Sequence, residues 1–320
     1  MAPSPPAGGV LAITCPSPID AESSDGNPVS LTFESPRTTN GLAPVSTSCS
    51  MSAGSPFLVG STTVSCEARD ARGQLATCTF TVTVRPPPRL SYSKYLAFGD
   101  SLTEGVVSLA PTVLALDLPS SYPTVLRNLL RSRYPAQSLS VINAGVAGEF
   151  ASGDGVRRFR PALLTNQPEV VLLMEGTNDL LFQQRGIEPA LTALETMMAD
   201  AESLNVRVCL ATIPPQRGGS FPDRSVVAAL IPGFNDQVRA LALRRNAVLI
   251  DVFAGMRDDL SLIGRDNLHP TEHGYEVMAG IFAEGLAKAF LTRTLPSADR
   301  TAAHGGDAAS RTMRSSPAIR

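Results

Sequence analysis

Tryptophan is missing from this 320-residue chain, which excludes carbohydrate binding through stacked indoles. Histidine is scarce: His269, His273 and His304 are the whole supply, so any chemistry that needs an imidazole base has three candidates. An excess of positive charge is missing as well. Lys and Arg total 27 against 29 Asp and Glu, for a formal net charge of -2, and no basic stripe of the kind a nucleic-acid binder presents is visible. No apolar run reaches the length of a membrane span. The start "MAPSPPAGGV" has neither the charged nor the apolar region of a signal peptide. Cysteine is confined almost wholly to the first quarter, as Cys15, Cys49, Cys66 and Cys78, with Cys209 alone. The first four lack a CxxC pair and a nearby histidine, which argues against a metal site. They read as two disulfides and an oxidising compartment. A secreted protein, extracellular or periplasmic, is therefore expected, with any leader removed. Cys209, inside "VRVCLATI", is expected to be a buried structural thiol.

What is present divides the chain. Hydrophobic residues make up 43% and charged residues 18%, a globular composition, and the length suffices for two domains. Residues 10–85 alternate apolar and polar in short runs such as "STTVSCEARD" and "ATCTFTVTVR", separated by turn signals such as "DGNP" and "ARGQ". Thr, Val and Ser dominate, so the segment is expected to be a small all-β sandwich. "RPPPR" opens a proline-rich linker over 86–92, short and stiff. From 93 to 291 apolar strand candidates ("KYLAFGD", "LSVINAG", "EVVLLMEG", "VRVCLATIP", "NAVLIDVF") alternate with helical spacing ("SYPTVLRNLLRSRY", "ALTALETMMADAESL", "VRALALRRN"). A last helix, "TEHGYEVMAGIFAEGLAKAF", closes this part. That order means an α/β domain with a parallel sheet covered on both faces, whose ligands bind at the carboxyl ends of the strands. Residues 292–320 are rich in Ser, Ala, Gly and Arg and read as a disordered tail.

The first segment resembles the hyalin-repeat module, an immunoglobulin-like fold, through "ITCP" at 13–16, "GSPFLVGSTTVSCEARDARGQ" at 54–74 and "CTFTVTV" at 78–84. The resemblance implies extracellular placement, a surface or protein partner, and bridges Cys15–Cys78 and Cys49–Cys66.

Ser101 follows the first strand of the α/β domain, and Gly99 beside it permits a turn that a side chain would obstruct. A serine needs a base to act as a nucleophile at neutral pH. His304 sits in the tail, and His273, inside the last helix, reads as a surface or packing residue. His269 lies just before that helix in "RDNLHPTEHGY", with Pro270 suited to a first helical turn. Asp266, three residues upstream, is spaced to reach the other ring nitrogen; Asp251, at a strand end, is the rival acid. Asp100 is expected to brace the turn through its own hydrogen bonds. "INAGVAGE" supplies Asn143, Gly145 and Gly148, and "MEGTNDL" supplies Gly176, Asn178 and Asp179. Each follows a strand, and Gly N–H groups or an Asn amide suit an oxyanion site, although the same residues also favour plain turns.

Together "FGDSLTEG", "NAGVAGE", "GTNDL" and "DNLHP" resemble, in order and context, the SGNH hydrolases, also called the GDSL family, over about 94–290. The resemblance implies a three-layer, flavodoxin-like α/β fold and an esterase that needs no metal or organic cofactor. It implies Ser101 as nucleophile with Asp266 and His269 completing the triad. The backbone of Ser101 with Gly148 and Asn178 would form the oxyanion hole. The GxSxG elbow of the α/β-hydrolases is absent around Ser101. The expected substrate is a small-molecule or polysaccharide ester, with polysaccharide deacetylase, lysophospholipase and thioesterase as alternatives; an adhesion protein with a scaffold hydrolase domain is the alternative from another class. The segments "TEGVVSLAPTVLALDLPSSYP" and "PPQRGGSFPDRSVVAALIPGFN" are expected to border the pocket as an apolar wall or lid, with Leu180, Leu181 and Phe182 adding to it.

Overall fold

A computed structural model of the chain describes residues 9–182 and 187–293. The tail from 294 onward, and His304 in it, lie outside the described residues.

The first segment is a β domain. Its strands are β1 (Ala12–Thr14), β2 (Ile19–Glu22), β3 (Val29–Ser30), β4 (Arg37–Thr39), β5 (Ser46–Cys49), β6 (Pro56–Phe57), β7 (Gly60–Arg69) and β8 (Leu75–Arg85). Four form a sheet in the order β2–β8–β7–β5, while β1 pairs with β4 and β3 with β6. Strict alternation drives the pairing: Val64, Cys66 and Ala68 of β7 face inward, and Ser65, Glu67 and Arg69 face water. Phe57, Val64, Phe80, Val82 and Val84 make a thin core. Two disulfides close it, Cys15–Cys78 and Cys49–Cys66, the pairing that the resemblance implied. Cys209 is free and fully buried, and burial pushes its thiol up, so it is inert packing.

The second segment begins inside the expected linker. Arg89 and Leu90 form β9, antiparallel to β17 (Leu291–Thr292). The Gln137 side-chain carbonyl accepts from the Leu90 N–H at 2.9 Å, and Leu90 is buried. The linker is thus shorter than the prolines suggested, because Arg89 and Leu90 still have N–H groups to pair and Leu90 has a core to enter. By the same pairing Thr292, assigned to the tail from its sequence, belongs to the domain.

The strand candidates fold as β10 (Lys94–Gly99), β13 (Ser140–Gly145), β14 (Val170–Met174), β15 (Arg207–Ala211) and β16 (Val248–Ile250), in one sheet of order β13–β10–β14–β15–β16. Every pairing in it is parallel. All of β14, and β10 from Tyr95 onward, are buried, the unbroken apolar run that a sheet covered on both faces requires. Helices α2 (Tyr122–Arg133) and α8 (Glu272–Phe290) pack together, as do α3 (Val156–Asn166), α5 (Glu188–Ser203) and α6 (Ser225–Arg244) among themselves. Tyr122 stacks on Phe282 at 4.5 Å between the first pair. The short helices α1 (Ser101–Glu104), α4 (Thr177–Phe182) and α7 (Val252–Met256) sit at strand exits. Because β13 and β14 flank β10 on opposite sides, the chain reverses direction across the sheet there, and a crevice opens at the carboxyl ends. The stretch expected to border the pocket as an apolar wall or lid folds as a hairpin, β11 (Val106–Ala110) with β12 (Val113–Leu116).

The bridges enclose 63 and 17 residues of separation. Chain entropy then assigns about 4 kcal/mol to the longer loop and about 3 kcal/mol to the shorter. Replacing Cys15 and Cys78 by Ser is expected to destabilise the β domain more than replacing Cys49 and Cys66. Equilibrium urea unfolding checks this, and the reverse order would contradict it.

Candidate active site

Strand β10 ends on Gly99, where an added Cβ would lie 2.4 Å from the Met174 carbonyl oxygen and 2.1 Å from Thr103 Oγ1. Only glycine lets the strand end approach β14 and α1 this closely. Asp100 caps α1, its Oδ1 accepting from the Leu102 N–H at 2.9 Å. Gly105, at φ 108°, closes the single turn. Ser101 is therefore the first residue of a rigid one-turn helix at the carboxyl edge, and 6% of it is exposed.

The partner loop is built around Asp266. Its Oδ1 accepts from the backbone N–H groups of Leu268 (3.2 Å) and His269 (3.1 Å), and its Oδ2 lies 2.5 Å from His269 Nδ1. His269 Nε2 lies 2.8 Å from Ser101 Oγ. An ionised carboxylate only accepts, so Nδ1 carries the proton and Nε2 accepts from the serine hydroxyl. Burial alone would raise the Asp266 carboxyl. The His269 and Leu268 hydrogen bonds outweigh burial and hold it below the usual carboxylate range. Two features not read from the sequence fix this loop. Ser108 Oγ accepts from the Asp266 N–H and donates to the Ala110 carbonyl, both at 3.0 Å. Asn267, at φ 65°, donates to the carbonyls of Ser220 (3.1 Å) and Pro222 (3.0 Å). An Asn inside a turn motif signals such a left-handed position; nothing local marks Ser108.

Asp251 does not meet His269. It pairs with Arg239 (2.8 Å), accepts from Thr212 Oγ1 (3.0 Å) and caps α7 at the Ala254 N–H (3.1 Å). His273 is exposed beside Glu276.

Of the glycines after β13, Gly145 is bound into the scaffold. Its N–H donates to Asn143 Oδ1 at 2.9 Å, and an added Cβ would lie 2.1 Å from the Glu104 nitrogen. Asn143 in turn donates to the Glu104 carbonyl at 3.1 Å. Gly148 has open space around it but sits at φ 79°, so backbone conformation is what requires glycine there. Among the described residues, the N–H groups of Ser101 and Gly148 have no hydrogen-bond partner. Asn178 Nδ2 donates to the Glu149 carbonyl at 2.8 Å, which leaves its second N–H available. Gly176, at φ 115°, would clash with Phe234 if it carried a Cβ. Asp179 accepts from the N–H groups of Ala151 (2.7 Å) and Ser152 (3.1 Å), tying α4 to the entry of α3.

Ser101, Gly148, Asn178, Asp266 and His269 line one cleft of about 380 Å³. Its walls are Val106, Leu114, Ala115 and Leu116 of the hairpin, Leu181 and Phe182 of α4, Ala147, Leu268 and Arg224. Leu180 turns into the core instead, and Arg224 alone of the second bordering segment reaches the cleft.

Below the site lie charges the sequence reading did not use. Arg158 grips Glu149 through Nε (2.8 Å) and Nη2 (2.5 Å), donates to the Ala144 carbonyl at 2.9 Å and lies over the Phe98 ring. Glu175 is buried with both carboxyl oxygens unpartnered. Burial, then the negative charges of Asp100 and Glu149, push it well above the usual range. Asp100 is pushed up to about 6, again by burial first. Among the described residues, no group of three or more His, Cys, Asp or Glu stands placed to hold a metal ion, and no helix is long and apolar enough to cross a membrane.

The model of the GDSL-like lipase/acylhydrolase family matches residues 97–277, which carry every residue of this cleft. The chain belongs to that family. Family membership makes it a carboxylic ester hydrolase. The HYR domain model matches residues 11–84. Among solved structures, an acetylxylan esterase from Geobacillus stearothermophilus is 21% identical with a TM-score of 0.51, over 62% of this chain and 96% of that one. An aryl esterase from M. smegmatis is 19% identical with a TM-score of 0.54, over 61% and 99%. A carbohydrate acetylesterase from Sinorhizobium meliloti is 17% identical with a TM-score of 0.54, over 62% and 100%. At these identities the likeness establishes the SGNH hydrolase fold. No curated protein matches the chain.

The raised Glu175 carboxyl has a pH consequence for this family member. In the unfolded chain it ionises near the ordinary glutamate value of about 4.3, while in the folded chain it keeps its proton higher. Unfolding therefore releases a proton in that window, and stability falls with rising pH by about 1.4 kcal/mol per pH unit for one such group. Glu175→Gln is expected to flatten that fall of stability in the pH range above the ordinary glutamate value. Urea unfolding of the α/β domain at three pH values in that window measures it, and an unchanged slope would contradict a protonated Glu175.

Proposed function

We propose that the protein is a serine esterase that hydrolyses carboxylic esters with short to medium acyl groups. The observation that carries this reading is the unbroken relay from Ser101 Oγ through His269 to Asp266 at 2.8 and 2.5 Å, set in a mostly apolar cleft. Ser101 attacks the acyl carbon while His269 takes its proton. The imidazolium that forms is stabilised by Asp266, held ionised by the same loop. The Ser101 and Gly148 N–H groups and Asn178 Nδ2 receive the oxyanion; the two unpartnered backbone N–H groups and the second, uncommitted N–H of Asn178 support that role. His269 then protonates the departing alcohol. A water, activated by the same imidazole, releases the acid and restores the serine.

A second reading, deacetylation of a decorated polysaccharide, is supported by what two of the fold neighbours are called. The leucine-lined walls favour an ester with an apolar acyl part. The β domain is proposed as an immunoglobulin-like sandwich that docks the enzyme to a surface or partner, joined to a catalytic domain that carries all the chemistry. Its two disulfides support a secreted protein.

Kinetics on p-nitrophenyl esters from acetate to palmitate, beside acetylated xylan, test the assignment. Ser101→Ala is expected to lower kcat by about 10⁴-fold or more, and Asn178→Ala by about 10²- to 10³-fold with little change in KM. A folded Ser101→Ala protein that keeps its activity would overturn the reading, and xylan preferred over every p-nitrophenyl ester would replace the first substrate class with the second.

A further inference from the structure

Among the described residues three arginine Nε atoms are buried without a hydrogen-bond partner, those of Arg127, Arg217 and Arg224. Arg217 is anchored through Nη2 to the Gly264 carbonyl. Arg127 lies on α2, away from the cleft. Arg224 is the one on the wall of the cleft that holds Ser101 and His269. Among the described residues its side chain has neither an ion pair nor a hydrogen bond. Its neighbour Asp223 is spent on its own turn, accepting from the N–H groups of Gly219 (3.0 Å) and Ser225 (2.9 Å) and from Ser225 Oγ (2.5 Å). The acid facing the cleft, Asp266, is engaged by His269.

Other half-buried arginines of the domain are paired, Arg158 with Glu149, Arg239 with Asp251 and Arg245 with Glu202, while Arg127 on α2 shares with Arg224 the lack of a partner. Arg224 is half-buried, and its Nε is shut off from water without a partner, which is costly. Such a breach of the pairing rule, kept at a catalytic cleft, marks a group that a ligand completes. The planar fork of arginine suits a carboxylate or phosphate.

Resting on the esterase reading above, we infer that Arg224 receives a negatively charged group, a carboxylate or a phosphate, on the alcohol half of the substrate. The side follows from connectivity. The segment leading to Arg224 is tied to the His269 loop: Ser220 and Pro222 accept from Asn267 Nδ2, and the Arg217 N–H donates to the Asn267 carbonyl at 3.0 Å. His269 delivers its proton to the leaving alcohol, so the alcohol half departs on that side. The acyl half then lies toward Leu114, Leu116, Leu181 and Phe182.

The test uses paired esters with the full chain. 4-Acetoxybenzoate and 4-acetoxyphenyl phosphate carry the charge on the alcohol half, and methyl 4-acetoxybenzoate is their neutral counterpart. Monomethyl adipate against methyl hexanoate places a charge on the acyl half. The readout is the ratio of kcat/KM for charged over neutral ester, in which intrinsic reactivity cancels between wild type and variant. Arg224→Gln is expected to lower that ratio at least about tenfold for the carboxylate, the phosphate or both, with Arg224→Lys intermediate. In the wild type, KM for the charged alcohol-side ester is expected to rise with NaCl while KM for the neutral ester does not, a measurement that needs no variant. An unchanged ratio in Arg224→Gln, or a charge preference confined to monomethyl adipate, would overturn the inference. If the wild type hydrolyses none of these esters and Ser101 also resists a phosphonate probe, the esterase reading has failed and this inference falls with it. If neutral esters are turned over without charge preference, the inference alone fails.

Discussion

The hydrogen bond from Ser101 to His269 joins two segments 168 residues apart in the chain, and most of the α/β domain serves to bring their ends together. On one side, Gly99 lets β10 come close enough to β14 for Asp100 to cap a single helical turn, which fixes where Ser101 points. On the other, Asp266 spends one carboxyl oxygen on the backbone of its own loop and the other on the imidazole. The same residue therefore shapes the loop and orients the imidazole. Ser108 links the two sides, since the strand that follows the Ser101 turn holds the Asp266 backbone in place. The serine, the acid and the hairpin wall form one hydrogen-bonded unit.

Electrostatics beneath the cleft follow the same logic. A site proposed to receive a developing oxyanion is poorly served by nearby negative charge. Two of the carboxyls below it, Glu175 and Asp100, are buried deeply enough to be driven toward their neutral forms. Glu149 stays paired with Arg158, which also reaches the carbonyl at the end of β13. Asp266 is the exception, held ionised by hydrogen bonds, and it is the one carboxylate in contact with the imidazole.

How much of this was legible depended on the range of the forces involved. The five sheet strands were readable because a parallel sheet buried on both faces leaves continuous apolar runs such as "VVLLM". The residues that the fold brings together at the cleft were readable because each sits in a short block whose glycines and polar residues satisfy local geometry: Asp266 reaches His269 across three residues. The choice between Asp266 and Asp251 rested on that spacing, and Asp251 proved committed to Arg239. The hairpin at Val106–Leu116 was not readable as such; its "SLAPTVLAL" shows no hairpin turn signal of the Asn-Gly type, and its pairing breaks register between Ser108 and Ala110. Pairing between distant segments was equally hidden. Nothing near Arg89 announces Thr292, and nothing near Ser108 announces Asp266. Arg224 escaped notice because an arginine is conspicuous only once its lack of a partner is seen in three dimensions.

The central claim is that His269, and no other histidine, activates Ser101. Timed labelling with a fluorophosphonate, followed by peptide mapping, tests it most directly. The account predicts one adduct, on Ser101, formed at a rate that collapses in His269→Ala and is unchanged in His273→Ala. An adduct on a different serine, or labelling of Ser101 at the wild-type rate in a folded His269→Ala protein, would contradict it.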